Sequence, residues 1–227
     1  MTAPAAPTAV VRHNRVDLAL HRLRDVAGDG GDVDVTPLLM VHGLGEQTPA
    51  AVPDHLAAWP GAVWGLDLTG HGASSLPAGG GYTCEILMGD VDAALAHLGP
   101  ATLYGRGLGA YVALLTAGAR PDVVRGAILD DGPGMSGGGP EPTTPFVLGA
   151  SLARTGTPDP YAQLELSQDV RPADYAATYA RQATTLSGLD TAIVVCAVVR
   201  PPWLAAVTAE PGVRQLPRAR CTGPFLA

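Results

Sequence analysis

Residues Tyr104-Gly105-Arg106-Gly107-Leu108-Gly109-Ala110 have the spacing of a strand-to-helix turn of the Gly-x-Ser-x-Gly type, with glycine where the nucleophile stands. A turn of that kind exposes its central residue at a strand end, where backbone N–H groups can hold a developing oxyanion. Gly107 has no side chain with which to attack. Three other clusters put polar groups after apolar runs: His42-Gly43-Leu44-Gly45, Asp67-Leu68-Thr69-Gly70-His71-Gly72-Ala73-Ser74, and Asp130-Asp131-Gly132-Pro133. His42 and His71 are read as holding their loops, and Ser74 and Ser75 as turn or cap residues. Cys84 opens a predicted helix, where the dipole would favour a thiolate, but a buried and inert thiol is the plainer reading. Asp130 and Asp131 are read as cap or pocket polarity, because without a nucleophile and a histidine a carboxylate there cannot complete a triad.

The elements that must position these residues follow from periodicity. Pro37–Val41, Ala62–Leu66, Ala101–Tyr104, Gly126–Leu129 and Ala192–Cys196 are short apolar runs of the sort buried on both faces of a parallel sheet. Between them, Cys84–Leu98 carries Ile86, Leu87, Val91, Ala94, Leu95 and Leu98 at helical spacing, Leu108–Ala119 is apolar around most of its circumference, and Ala173–Ser187 is helical. Arg15–Arg24 alternates, with Val16, Leu18 and Leu20 on one side and Asp17 and His21 on the other, as in an antiparallel edge ribbon. Ala27–Asp34 reads as a Gly/Asp turn. The expected fold is an α/β, mostly parallel sheet with helices on both faces, its functional loops gathered at the carboxyl ends of the strands.

Composition sets the frame. The chain has 227 residues, a length that one α/β domain fills, and is divided as a flexible tail over 1–11 and a single domain over 12–227, with residues 133–189 forming a link and small lid. A formal net charge of −7 gives no reason to expect nucleic acid or an anionic membrane, and no apolar stretch has the length of a span. All fourteen basic residues are Arg. Three scattered cysteines form neither a disulfide framework nor a metal-ligand spacing, so neither metal nor cofactor is expected. The first residues lack the basic and apolar regions of a signal peptide, and a cytoplasmic protein is expected.

Three motifs in this order resemble the α/β-hydrolase superfamily: His42-Gly-Leu-Gly, Asp67-x-x-Gly-His-Gly-x-Ser and Gly105-x-Gly-x-Gly. The resemblance implies oxyanion donors at Leu44, after the His42-Gly43 turn, and at Leu108, after the nucleophile position. It also implies an acid after the penultimate strand and a histidine after the last one. Arg200 stands near the acid's place, the stretch Val213–Arg220 offers Arg220 where the histidine belongs, and no His follows His97. The expectation is a degenerate member that binds a small apolar or anionic ligand without triad hydrolysis, with Arg106, Arg200 or Arg220 and the Leu44 and Leu108 amides as an anion cradle. Two alternatives stand beside it. One is a hydrolase or lyase acting on an ester or thioester through the oxyanion hole with Asp131 or an activated water. The other is a protein-interaction module whose cleft is filled.

Overall fold

The computed structural model describes residues 6–26, 35–79, 81–138 and 156–226. Its strands are β1 (Ala9–His13), β2 (Val16–Arg24), β3 (Leu38–Val41), β4 (Val63–Leu66), β5 (Ala101–Arg106), β6 (Val124–Asp130), β7 (Ile193–Val195) and β8 (Val213–Gln215). They form one sheet in the order β1-β2-β4-β3-β5-β6-β7-β8. β1 and β2 join antiparallel, and every pairing from β4 to β8 is parallel. The apolar runs become central strands because a strand covered on both faces must be apolar at every position. β3, with all four residues buried, is the clearest case.

The helices are α1 (Cys84–Leu98), α2 (Leu108–Ala119), α3 (Pro160–Gln168), α4 (Ala173–Leu186) and α5 (Pro202–Ala209). Thr83 caps α1 by accepting the Ile86 N–H, and Asp159 caps α3 by accepting the Tyr161 N–H. Helical cover is unequal on the two faces. All five α-helices pack into the larger apolar cluster with Leu39, Val41, Leu103 and Leu129. The opposite face gathers Leu38, Met40, Trp59, Tyr104, Ile128 and Val194. It is covered by the segment 43–61, whose 3-10 turn Asp54–Leu56 buries Leu56, and by the C-terminal 3-10 turns Arg218–Arg220 and Gly223–Phe225. No helix of the described residues is long and apolar enough to cross a membrane.

Several boundaries differ from the sequence reading. Residues 9–11, expected in the tail, belong to β1, the true edge strand, and β2 lies inside it between β1 and β4. That inner position explains why His21, expected on the polar side, is buried and bonded to the Asp67 carboxylate at 3.0 Å. In the segment 133–189, expected as link and lid, residues 139–142 of the Gly-rich link expected over 137–142 lie outside the described residues, as does the 27–34 turn. α4 is no lid: Ala176, Ala180 and Ala183 are buried against the α2 and α5 layer, where Gly118 of α2 admits the Tyr179 backbone. α3 does cover the strand ends. Asp159 N–H donates to Gly70 O at 2.8 Å, and Thr157 Oγ1–H donates to Gly72 O at 2.6 Å.

Candidate functional site

The turn between β5 and α2 has the sharp geometry that its glycines imply. Gly107 sits at φ 58° and ψ −116°, a backbone region that side chains strongly disfavour. Gly109 lies so close under β3 that a Cβ there would be 2.6 Å from the His42 carbonyl oxygen. The elbow is therefore held tightly against the loop that follows β3.

Its mouth is occupied by the chain itself. Leu44 N–H and Leu108 N–H, the two expected oxyanion donors, both donate to Pro133 O, at 3.0 and 2.9 Å. A Cβ at Gly107 would overlap that same oxygen and stand 2.5 Å from the carbonyl carbon of Gly132. Gly107 N–H donates to Asp130 O at 3.0 Å, which ties the turn to the end of β6. The carbonyl of residue 133 thus accepts both amides that the resemblance to hydrolases assigns to an oxyanion.

The arginines do not form the expected anion cradle. Arg106 forks onto Glu46, with Nε to Oε2 at 2.9 Å and Nη2 to Oε1 at 3.1 Å, and Nη1 donates to Asp131 O. Glu46 also accepts the Gly43 N–H at 3.1 Å, so the charge of Arg106 is neutralised by the oxyanion loop itself. Arg200 and Arg220 are exposed, and Arg200 Nη1 donates to the nearby Ala197 carbonyl. The arginine that does reach a strand end is Arg218, whose Nε lies 2.7 Å from Asp130 Oδ2.

Both carboxylates at the end of β6 are engaged within the protein. Asp130 is buried and accepts from Tyr104 Oη–H, from Arg218 and from Asp131 N–H. Asp131 accepts Val198 N–H on Oδ2 at 2.6 Å and Val199 N–H on Oδ1 at 2.9 Å, which turns the chain out of β7. Both histidines hold their own loops, His42 through two ring nitrogens and His71 through one. His42 Nδ1–H donates to Gly43 O at 2.8 Å while Nε2 accepts Leu68 N–H at 3.0 Å, and burial pushes its pKa down. His71 Nδ1–H donates to Thr69 O at 3.0 Å, and its Nε2 is buried without a partner among the described residues. Burial, with His42 only 5.0 Å away ring to ring, lowers the His71 pKa to about 4. Ser74 Oγ accepts Ala19 N–H and donates to Asp67 O, and Ser75 Oγ accepts Asp17 N–H, as turn residues do. Cys84 is buried, and burial raises its thiol pKa well above normal.

Beside the filled elbow, toward the thinly covered face, lies an open cavity of 350 Å³. Met40, Val41, Pro49 and Pro53 supply apolar walls, with His55, Tyr104, Glu46 and Arg106 among the polar lining. His55, on the Asp54–Leu56 turn, places Nε2 2.9 Å from Tyr104 Oη, and partial burial lowers its pKa. Glu46, His55 and Arg218 escaped the sequence reading, and Tyr104 entered it only as the strand residue that opens the turn. None stands in a recognisable spacing, and only the sheet register and the 43–61 cover bring them together. Among the described residues no group of His, Cys, Asp and Glu has the arrangement of a metal site.

The mostly parallel eight-stranded sheet, the elbow and the paired amides beside it define an α/β-hydrolase-type protein. The family model described as serine aminopeptidase, S33, matches residues 36–164, more than half of the chain, and the chain belongs to that α/β-hydrolase family. A search of curated proteins gives no match. Solved structures give the same fold. The N-formylmaleamic acid deformylase of Pseudomonas putida S16 is similar at TM-score 0.60 and 16% identity, over 91% of this chain and 90% of that one. The thioesterase domain of the curacin biosynthetic pathway is similar at TM-score 0.60 and 16% identity, over 96% and 95%. A hypothetical protein of Pseudomonas aeruginosa PAO1 reaches TM-score 0.61 at 16% identity, over 96% and 98%.

Proposed function

We propose that this chain is a non-hydrolytic member of its family that binds a small, mostly apolar molecule in the cavity beside the old elbow. The observation that carries the reading is the seating of Pro133 O on both the Leu44 and Leu108 amides, with Gly107 packed against the same backbone. Acyl transfer needs a nucleophile, a base within hydrogen-bond reach and free donors for the oxyanion. Position 107 offers no nucleophile, and the donors are spent internally. A route through Asp131 meets the same difficulty, because both of its oxygens already accept backbone amides. The ligand is assigned to the lateral cavity because that space is open, apolar and within the usual size of small-molecule sites.

The same plug favours a second reading, an interaction module that keeps the fold and has closed its cleft. Ligand binding in the lateral cavity separates the two. For the absence of hydrolysis, purified protein is treated with a fluorophosphonate probe and with p-nitrophenyl esters. No covalent labelling and no turnover above buffer are expected. Stoichiometric labelling at Ser74, Ser75 or Cys84 would reveal a relocated nucleophile and overturn the reading.

A further inference from the structure

We infer that the lateral cavity is a site for a small neutral phenol, a hydroxylated apolar ring whose O–H donates to His55 Nδ1. The inference rests on the non-hydrolytic binding role proposed above and names the chemistry of its ligand.

Hydrogen-bond accounting along one chain of groups determines the acceptor. Asp130 is paired with Arg218 and, as a carboxylate, can only accept. Tyr104 Oη must therefore spend its one proton on Asp130, and can only accept from His55. His55 must then carry its proton on Nε2, which leaves Nδ1 as an unprotonated acceptor with no described donor. Partial burial lowers the His55 pKa, which keeps this neutral tautomer at neutral pH. Arg218 and Asp130 act on a guest only through Tyr104 and His55 and are positioning residues, whereas Tyr104 both lines the cavity and fixes the His55 proton.

The rest of the lining selects against charge. Arg106 and Glu46 neutralise one another at the mouth, and both ring nitrogens of His42 are used internally. Among the described residues Thr48 Oγ1 is buried without a partner, but the side chain is pressed over Gly65. Met40 and Pro53 provide the apolar contact that a ring prefers over a more hydrated guest. The 350 Å³ cavity is more than twice the size, about 150 Å³, at which an apolar cavity accepts benzene, so a substituted ring fits.

The test is a ¹⁹F NMR titration of the full chain with 4-fluorophenol and with 4-fluorotoluene, which has the same ring but no hydroxyl. 4-Fluorophenol should bind more tightly, by about three- to ten-fold, the worth of one partly shielded hydrogen bond. Backbone amide shifts should centre on Gln47 and Thr48, and the His55 Nδ1 nitrogen signal should move with the phenol only. In His55→Phe, whose folding is checked by its amide spectrum, the preference should vanish while 4-fluorotoluene binding persists. The His55 tautomer in the unaltered protein gives a variant-free check, since a proton on Nδ1 in the free state would sink the assignment. Equal binding of the two probes, or a preference that survives His55→Phe, would overturn the acceptor role and leave the non-hydrolytic binding role standing. Failure of both probes to bind would remove the cavity ligand, whereas fluorophosphonate labelling would strike the non-hydrolytic role alone.

Discussion

The carbonyl oxygen of Pro133 accepts the Leu108 amide at 2.9 Å, in the position where the resemblance to hydrolases places a substrate oxygen. Because Leu44 N–H converges on the same atom at 3.0 Å, both amides are satisfied by the protein's own backbone. Amide hydrogen exchange checks this directly. Both N–H groups should be strongly protected in the free protein, Leu44 included although its residue is only half-buried. Exchange at Leu44 as fast as in an open loop would mean that Pro133 leaves the hole in solution.

Gly107→Ser should destabilise the protein and restore no esterase activity. The new Cβ would overlap Pro133 O and would hold a side-chain-bearing residue at φ 58°, for a combined cost of about 2–5 kcal/mol. An unassisted hydroxyl would also lack a base. Thermal unfolding and a p-nitrophenyl acetate assay measure both parts. A variant as stable as the parent and reactive toward fluorophosphonate would show that the 132–133 backbone can swing aside.

Asp130→Asn should cost about 2–4 kcal/mol, since the amide loses the charge that pairs with Arg218 and sets donor hydrogens either against Tyr104 Oη–H and Arg218 or against Asp131 N–H. Arg218→Met should cost less. The Arg218 side chain is 44% exposed, so solvent screens the pair, and Asp130 keeps its Tyr104 and amide donors. Denaturant unfolding of the two variants tests the order, and a larger loss for Arg218→Met would mean that the ion pair, not the buried hydroxyl, dominates.

Stability should fall on acidification between pH about 6.5 and about 4, before most carboxylates titrate. Burial depresses His71 from 6.5 to about 4, so within that window the unfolded chain binds a proton that the folded chain refuses. The loss is on the order of 3 kcal/mol, and His42, also lowered by burial, acts in the same direction. His13 runs the opposite way. Its hydrogen bond to Asp90 raises its pKa, so its contribution is present below 6.5 and fades as pH rises through the raised value. His71→Asn, which keeps a donor for Thr69 O, should flatten the acid limb of an unfolding free-energy profile measured against pH. An unchanged slope would show that His71 is not the group titrating.

Much of this protein is legible in its residues alone. Cys84–Leu98 and Leu108–Ala119 are helices with the bounds that periodicity implies, and the apolar runs at 38–41, 63–66 and 101–104 are central strands. A buried helix face or a strand covered on both sides leaves a local pattern in the residue types. The glycine at 107 and the amides at 44 and 108 were likewise readable, because the turn is contiguous. What fills that turn was not, because Pro133 O is a backbone atom and carries no side-chain signature. Its place depends on how far β6 extends past β5, and that register is set by the sheet, where Arg106 pairs with Asp130. The cavity has the same origin: His55, Tyr104, Asp130 and Arg218 lie far apart in sequence and meet because 43–61 and the C-terminal turns cover one sheet face. Local pattern therefore determined the elements and the glycine turn at 107, and only tertiary packing decided that Pro133 O accepts both the Leu44 and Leu108 amides and that a space opens beside them.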